Sequence, residues 1–333
     1  MKRVLLTGAS GFVGSHVLRY ILLNTDWFVV CPTTFTHKGL QDRIRFAVNG
    51  IDEDFNRVKV ISCNLDAPIS PITAKEFGNI DYVFNIASQS HVDRSIIEPQ
   101  PFIMNNVSLM CNLLEWARFT DIEKFLQFST DEVYGPSKSE MGHKEWDTHL
   151  PSNPYSASKS AQESIAYSYW RTYDIPLFIT NTMNIIGETQ NLEKFVPKII
   201  KSILNKEMVD IHSSNGVIGS RYYLHALNQA SALLHIIDRP AVTFKESLLP
   251  EKFNIVGEKK ISNLDLALQI ASIMKKEFLY KKIEGSVIRP GYDIDYALDG
   301  TKLKESGWAP EVDFDSSLEQ TVLWTLKNKE WLM

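Results

Sequence analysis

Several features that would indicate a specialised class of protein are scarce in this sequence or missing from it. The 333 residues include only three cysteines, Cys31, Cys63 and Cys111, which are far apart and lack metal-ligand spacing. An odd number of scattered cysteines argues against a disulfide framework, so we expect reduced thiols in the core of a cytosolic protein. No apolar run is long enough to cross a bilayer, and there is no internal repeat.

The charge balance is modest, and it bounds the possible partners. The formal net charge is -5, from 35 Lys and Arg against 40 Asp and Glu. We therefore expect neither nucleic acid nor a membrane as a partner, and an anionic ligand must be held by local groups. The chain begins with a predicted strand rather than a signal-peptide pattern, so we expect a cytoplasmic protein.

A glycine motif near the N-terminus is typical of dinucleotide sites. It follows a short apolar strand predicted at residues 3–7 and opens an amphipathic helix that runs to about residue 23. The glycines permit a tight turn, and the helix N-terminus can receive a pyrophosphate. A glycine-rich turn without a ligand is the alternative. The predicted cofactor-binding residues here are Gly8, Gly11, Phe12, Val13 and Gly14.

Further apolar runs predict the rest of a parallel sheet. They alternate with helical patterns, which is typical of βαβ units with helices on both faces of the sheet. The predicted strands are residues 27–31, 58–62, 81–87, 125–128, 176–180 and 251–256. The fold class that we predict is α/β, a Rossmann-type doubly wound parallel sheet with a smaller α/β substrate-binding domain.

The most informative stretch is residues 129–159. Thr130, Asp131 and Glu132 follow an apolar strand, so the strand should deliver them to the carboxyl edge of the sheet, where such folds bind ligands. Asn153 and Pro154 are typical of a helix start, and Tyr155 and Lys159 then share one helix face. Because an ammonium beside a phenol favours the phenolate, we expect Lys159 to lower the pKa of Tyr155.

Each part of this stretch has an ordinary structural explanation when taken alone. A Tyr-x-x-x-Lys spacing occurs on many helix surfaces, and an Asp-Glu pair after a strand is commonly a solvated turn. Together, and downstream of the glycine motif, they resemble the extended short-chain dehydrogenase/reductase family. Within that family they resemble the nucleotide-sugar 4,6-dehydratases of the dTDP-glucose type. The resemblance extends over nearly the whole chain.

The resemblance implies a catalytic set and a reaction. Tyr155 would take the proton of the sugar 4-hydroxyl, Thr130 would hydrogen-bond that oxygen, and Lys159 would hold the cofactor ribose. Glu132 would then remove the C5 proton and Asp131 would protonate the leaving 6-hydroxyl, giving a 4-keto-6-deoxy sugar without net redox change. The implied catalytic residues are Thr130, Asp131, Glu132, Tyr155 and Lys159.

The cofactor side departs from the family pattern. Pro32 stands where these dehydratases have an aspartate, and Asn64 stands in place of a second acid. Loss of these carboxylates, with Thr33, Thr34 and Lys38 as possible donors, leaves NAD and NADP both open, and the resemblance favours NAD. The further predicted cofactor-binding residues are Thr33, Asn64, Leu65, Ala87, Tyr155 and Lys159.

The resemblance also assigns residues to the substrate, a nucleoside-diphosphate hexose. Arg221 would clamp the diphosphate, because its planar guanidinium matches phosphate geometry. Ile185 and Ile186 replace residues that are usually Asn and Tyr in the family, and Tyr292 stands where His is common. The predicted substrate-binding residues are His91, Asn184, Glu193, Lys194, Arg221, Arg289 and Tyr292, and no metal ligand is predicted.

Other activities share these motifs, so the reaction stays open at this point. Sugar 4-epimerases and uronate decarboxylases keep Thr or Ser, Tyr and Lys but usually lack the Asp-Glu pair. A 5,6-dehydratase that restores the C4 hydroxyl is another alternative, because the segment from Ile185 to Glu188 departs from the family pattern. A non-catalytic nucleotide-sensing protein is disfavoured, because sensing would not require Thr130, Tyr155 and Lys159.

Two predictions concern domains and assembly. We assign residues 1–183 plus 222–258 to the dinucleotide-binding domain, and 184–221 plus 259–333 to a discontinuous nucleotide-sugar-binding domain. In the family, two helices pair with their symmetry mates in a four-helix bundle. The corresponding segments carry Trp116, Tyr167 and Trp170, among other apolar residues, so we expect a homodimer, although core packing could also explain these side chains.

Overall fold

The structure is a computed structural model that describes residues 1–36, 38–137, 142–214, 216–284 and 296–333. Seven of its strands form one sheet, and the others form two three-stranded sheets. In chain order the strands are β1 (Arg3–Thr7), β2 (Phe28–Thr33), β3 (Val58–Ser62), β4 (Tyr82–Asn85), β5 (Lys124–Thr130), β6 (Leu177–Thr182), β7 (Asn184–Ile186), β8 (Val209–Ser214), β9 (Val217–Ile218), β10 (Ser220–His225), β11 (Glu251–Ile255), β12 (Lys259–Ser262) and β13 (Tyr280–Glu284).

The large sheet has the strand order β3-β2-β1-β4-β5-β6-β11, and each neighbouring pair is parallel. This is the order of a Rossmann sheet with one additional strand, β11, at its edge. The chain reverses its direction of progress between β1 and β4, so the carboxyl ends of these strands form the crevice in which open α/β sheets bind ligands. The predicted doubly wound fold is confirmed.

Helices cover both faces of this sheet. In chain order the helices are α1 (Phe12–Asn24), α2 (Gln41–Val48), α3 (Pro71–Phe77), α4 (Val92–Ile97), α5 (Pro99–Ala117), α6 (Pro154–Tyr173), α7 (Phe195–Asn205), α8 (Ala226–Ile237), α9 (Asn263–Met274), α10 (Thr301–Glu305) and α11 (Phe314–Lys327), with 3-10 helices at Asp131–Tyr134 and Lys329–Leu332. Val4 and Leu6 of β1 pack with α1, α2 and α8, whereas Leu5 packs with α3, α5 and α6, because successive strand residues point to opposite faces.

Three strands extend further toward the carboxyl edge than their apolar runs indicate. Strand β2 continues through Pro32 to Thr33, β5 to Thr130 and β6 to Thr182, because each keeps pairing with a neighbour there. Proline lacks the backbone N–H of other residues. Pro32 is tolerated because β2 pairs with β1 only as far as Val30, so no hydrogen bond of that ladder is lost. The predicted ends at residues 31, 128 and 180 were therefore too early.

The smaller sheets lie against a separate core. Their strand orders are β12-β10-β7 and β13-β8-β9, and apolar side chains of α7, α9 and α11 pack with them. The predicted boundary at residues 221 and 222 falls within β10, which pairs with β7 and β12 rather than with the large sheet. We keep the two-domain division as a proposal, with β10 on the side of the smaller sheets.

Among the described residues, none of the helices combines the length and the apolar character needed to span a bilayer. The three cysteines are free thiols, and Cys31 is fully buried in the core between β2 and α1, where burial raises its pKa. The predicted core location therefore holds for Cys31, while Cys63 and Cys111 are only partly buried.

Candidate functional site

The glycine turn joins β1 to α1 at the crevice. Gly8 has a φ of 74°, and a Cβ there would lie 2.9 Å from the backbone nitrogen of Ala87, just after β4. A Cβ on Gly14 would lie 2.0 Å from the carbonyl oxygen of Gly8, so only glycine lets α1 approach this closely. Within the described residues, no side chain caps the N-terminus of α1 at Gly11, and no acid stands in its first turn.

The end of β2 presents hydroxyl groups in place of the usual acid. The Thr33 hydroxyl is buried and hydrogen-bonds the Ser10 hydroxyl at 2.8 Å. Lys38, which we considered as a donor to a 2′-phosphate, instead has its Nζ 2.6 Å from a carboxylate oxygen of Glu193. Leu65, which follows the neighbouring strand β3, is buried, and its backbone carbonyl oxygen accepts from the side-chain amide of Asn112 on α5.

Three polar residues stand together where β5 ends. Thr130 is the last residue of the strand, and the 3-10 helix that begins at Asp131 keeps the next two side chains close to it. The Thr130 hydroxyl donates to Asp131 Oδ1 at 3.1 Å. Asn153, the N-cap of α6, donates from Nδ2 to Glu132 Oε2 at 3.0 Å. This contact ties Glu132 to the start of the helix that carries Tyr155.

The two carboxyl groups differ in their surroundings. Burial raises the pKa of Asp131 to about 7, and the neighbouring Glu132 adds to the rise, while Thr130 and Arg221 oppose it. Asp131 Oδ2 is buried and has no hydrogen-bond partner within the described part of the chain. A carboxyl group with this pKa can exist in its acid form near neutral pH and can donate a proton.

Tyr155 and Lys159 lie on α6, beside this pair. Helix α6 begins as predicted, because Asn153 and Ser156 form a reciprocal capping box and Pro154 occupies the first turn. The backbone N–H of Tyr155 donates to Ser95 Oγ on α4 at 3.1 Å, which fixes the helix start against a second element.

We predicted that Lys159 lowers the pKa of Tyr155, and this prediction was wrong for this structure. Burial raises the pKa of Tyr155, the Glu132 and Asp131 carboxylates add to the rise, and only a hydrogen bond with Thr130 lowers it. The Lys159 ammonium instead donates to the Phe128 carbonyl oxygen and to Gln162 Oε1, each at 2.6 Å. Burial lowers the pKa of Lys159 to about 7.

The predicted substrate residues are only partly brought together. Arg221 on β10 acts electrostatically on Asp131, and its guanidinium lies over the ring of Tyr296 at 5.0 Å. Asn184 is exposed on the adjacent strand β7. The Lys194 ammonium is 3.5 Å from the Ser90 carbonyl oxygen. Arg289 and Tyr292 lie outside the described residues.

His91 has a clear local function in the structure. It is the N-cap of α4, and its Nδ1 accepts from the backbone N–H of Arg94 at 3.1 Å. Its Nε2 is 4.0 Å from a carboxylate oxygen of Glu193. Capping explains this histidine without a ligand, and a contact with substrate stays a prediction.

The sequence reasoning missed the residues that surround Lys159. Gln162 accepts from Lys159 and donates to the backbone carbonyl of Asn106 at 2.7 Å, which links α6 to α5. Glu163 is buried four residues after Lys159, where it raises the pKa of that lysine. Their spacing of three and four residues from Lys159 was the signal that could have identified them.

The site fits a dinucleotide. The uncapped N-terminus of α1 offers backbone N–H groups to a pyrophosphate, and the glycines keep that approach free of side chains. The Thr33 and Ser10 hydroxyls lie at the end of β2, where an adenosine ribose is bound in this fold. No group of three or more metal-ligating side chains occurs in the described ranges.

A glycine turn at the crevice of a Rossmann sheet, with Tyr155 and Lys159 on the helix that lies against the end of β5, defines a dinucleotide-dependent enzyme. Residues 4–255 match the NAD dependent epimerase/dehydratase family. The chain belongs to this family, and it is an enzyme that uses NAD. The resemblance to the extended short-chain dehydrogenases/reductases of the dTDP-glucose 4,6-dehydratase type is confirmed.

Three similar proteins show how far the likeness extends. The chain is 34% identical to Low-salt glycan biosynthesis protein Agl12 of Haloferax volcanii over 98% of this chain and 99% of that protein. It is 32% identical to a dTDP-glucose 4,6-dehydratase of Haemophilus influenzae over 98% and 99%. The crystal structure of DesIV, a dTDP-glucose 4,6-dehydratase from Streptomyces venezuelae solved with NAD bound, superposes with a TM-score of 0.87 at 27% identity, covering 99% of this chain and 98% of that one.

Proposed function

We propose that the protein is a nucleotide-sugar 4,6-dehydratase, which converts a nucleoside-diphosphate hexose into the 4-keto-6-deoxy sugar. The observation that carries this proposal is the position of Asp131 and Glu132. They directly follow Thr130 at the end of β5, next to Tyr155. The pKa of Asp131 is raised, while Glu132 accepts from Asn153. Water elimination requires one acid and one base, and neither is needed for simple inversion at C4.

Oxidation at C4 is the first part of the proposed reaction. The glycine turn and the N-terminus of α1 would hold NAD, which would supply the acceptor for the C4 hydride and the source of the hydride for C6. Tyr155 accepts the proton of the 4-hydroxyl, with Thr130 hydrogen-bonded to it. Tyr155 acts as the base in its phenolate form, and Lys159 would hold the cofactor ribose, as the family resemblance implies.

Elimination across C5 and C6 is the second part. Glu132, held by Asn153, removes the C5 proton that the 4-ketone has made acidic. Asp131 protonates the leaving 6-hydroxyl, which suits a carboxyl group whose pKa is raised to about 7 and whose Oδ2 has no partner in the described chain. Arg221 lies within electrostatic range of Asp131, so a diphosphate held by Arg221 would place the sugar near both carboxyl groups.

A panel of nucleotide sugars tests this function. We expect incubation of the purified protein with dTDP-glucose, UDP-glucose, UDP-N-acetylglucosamine and GDP-mannose to give, for at least one of them, a product lighter by one water. NMR should show a C6 methyl group and a C4 ketone. Inversion at C4 without loss of water would establish an epimerase, and a C5=C6 alkene with an intact C4 hydroxyl would establish a 5,6-dehydratase. Binding of a sugar nucleotide without any product would indicate a sensor.

We also propose that the protein is a homodimer. Two of the aromatic residues from which we predicted this state are core residues, because Trp116 and Trp170 are buried within one chain. Apolar side chains on or next to the same pair of helices are nevertheless exposed, including Met104 on α5 and Tyr173 at the end of α6. In the four-helix bundle that the family resemblance implies, these two helices pair with their symmetry mates, and the proposal rests on that resemblance.

Light scattering at micromolar concentration should therefore give twice the mass of one chain. Met104→Lys places a charge on this surface and should shift the distribution toward the monomer, while Met208→Lys, at another exposed methionine, should not. A monomer mass for the unaltered protein across the concentration range would contradict the proposed homodimer.

A further inference from the structure

A buried carboxylate on α6 takes no part in the reaction proposed above. Glu163 comes eight residues after Tyr155 and four after Lys159, so the three side chains follow one another along one helix face. Glu163 is 3% exposed, and Lys252 on β11, its ionic partner, is 1% exposed. Two charges buried this completely are uncommon unless they are paired and hydrogen-bonded.

The Glu163 carboxylate is held by groups from several strands. Its Oε2 is 2.8 Å from Lys252 Nζ and 3.5 Å from His149 Nε2. Its Oε1 accepts from Asn181 Nδ2 at 2.8 Å and from the Ser129 hydroxyl, which is adjacent to Thr130. Although burial alone raises the pKa of Glu163, the Lys252 ammonium, His149 and the hydrogen bonds together lower it, so the group stays ionised.

Lys159 lacks comparable partners of its own. The Phe128 carbonyl and the Gln162 amide, which are its acceptors in the described chain, are both neutral. Burial lowers the pKa of Lys159 from 10.5 to about 7, and Glu163 acts against that fall. Without this counter-charge the pKa of Lys159 would be lower still, and more of the lysine would be neutral under ordinary conditions.

Other titratable groups surround this cluster on every side. Tyr155 and Lys159 are on α6, Lys252 is on β11, and His149 is in the loop before α6. The groups after β5 are Asp131, Glu132 and Tyr134. Of these, Glu163 is the charge that acts on Lys159.

We propose that Glu163 is a positioning residue, whose buried charge keeps Lys159 protonated while Lys252 holds Glu163 in place. This inference rests on the proposed roles of Tyr155 and Lys159. A buried ion pair adds little to stability compared with apolar residues of similar volume, so folding alone does not explain why the pair is present. The contact with Ser129 would also hold the end of β5, and with it Thr130, against α6.

The pH profile of kcat/KM tests the inference with three variants. Activity should fall on the alkaline side as Lys159 loses its proton. In Glu163→Gln this limb should move to lower pH, by about one pH unit, because the nearer opposite charge is gone and Lys252 is left. In Glu163→Gln with Lys252→Met it should move in the same direction but less. In Lys252→Met alone it should stay or move to higher pH.

Glu188 provides a matched control. It is also a buried carboxylate, with Gln320 donating to its Oε1 at 2.7 Å and His225 Nε2 3.2 Å from its Oε2, but it does not act on Lys159. Glu188→Gln should lower stability without moving the alkaline limb. If the limb of the double variant coincides with that of the parent, the pair serves folding only and the inference is wrong.

A second readout does not require any catalytic activity. Because the pKa of Lys159 is lower in the folded state, the unfolded chain binds more protons between about pH 7 and 10.5, and stability attributable to this lysine rises with pH across that window. The difference in melting temperature between the parent and Lys159→Met should rise with pH in this window. The same difference should be measured between Glu163→Gln and the double variant that also carries Lys159→Met. There the rise should begin at lower pH.

This measurement separates the two ways in which the ideas can fail. If no nucleotide sugar is turned over, the proposed function fails, while the melting curves still report whether Glu163 controls Lys159. If the curves superimpose in the two backgrounds, Glu163 does not act on the lysine, whatever reaction the enzyme catalyses.

Discussion

The double substitution Asp131→Asn with Glu132→Gln should stop the reaction after oxidation at C4 and before loss of water. Both replacements keep the size and hydrogen-bonding capacity of the side chains but remove the proposed acid and base. Oxidation depends on Thr130, Tyr155 and Lys159, which are unchanged. The variant should therefore accumulate the near-ultraviolet absorbance of reduced nicotinamide when it is mixed with substrate, while dehydrated product falls by at least ~10²–10⁴-fold.

Solvent deuterium gives an independent measure of the same step. The parent should incorporate deuterium at C5 during turnover, whereas the double variant should not, because it lacks a group that exchanges the C5 proton. The exposed pair Asp121→Asn with Glu123→Gln is a control with the same change in charge outside the site. Dehydrated product at the parental rate from the site variant would show that the two carboxyl groups are structural.

Tyr155→Phe should retain cofactor binding and lose most of the turnover. The substitution removes only the hydroxyl that is hydrogen-bonded to Thr130, and the ring can keep its edge-to-face contact with Phe102. General base catalysis contributes ~10²–10⁴-fold, so kcat should fall by about that factor. Reduced nicotinamide should not accumulate on addition of substrate, which distinguishes this variant from the carboxyl double variant.

Tyr280→Phe is the control for this measurement, because Tyr280 is an exposed tyrosine on β13. The nicotinamide bound to each purified protein should be measured after denaturation, so that lost turnover is not confused with lost cofactor. Turnover by Tyr155→Phe close to that of the parent would remove the phenol from the proposed mechanism.

Local patterns predicted the sheet and the helix that carries the proposed base. Strands β1 and β3 have the predicted bounds, and α6 starts at Pro154 because its cap lies in adjacent residues. The sequence alone predicted the carboxyl ends of β2 and β5 less well. There the strand continues by pairing with a neighbour after its apolar residues have ended, and this pairing depends on tertiary structure.

The electrostatics of the site could not be predicted in the same way. A glutamate four residues after a lysine is typical of an exposed helix pair, and Glu163 is buried because Lys252, far along the chain, lies against it. The pKa of Tyr155 depends on its burial and on Glu132 and Asp131, which the lysine spacing does not reveal. The sequence also did not indicate that His91, a predicted substrate-binding residue, caps α4 through its Nδ1.

Asn153 makes two contacts that couple the oxidation and elimination steps of the proposed reaction. Its Oδ1 accepts from the N–H of Ser156 in the first turn of α6, and its Nδ2 donates to Glu132. Proteins open locally in cooperative units, so fraying of this turn would break the contact between Asn153 and Glu132 and displace Tyr155 in one event. The site should therefore alternate between fully assembled and wholly inactive, without a long-lived state that could oxidise the sugar and then fail to eliminate water from it.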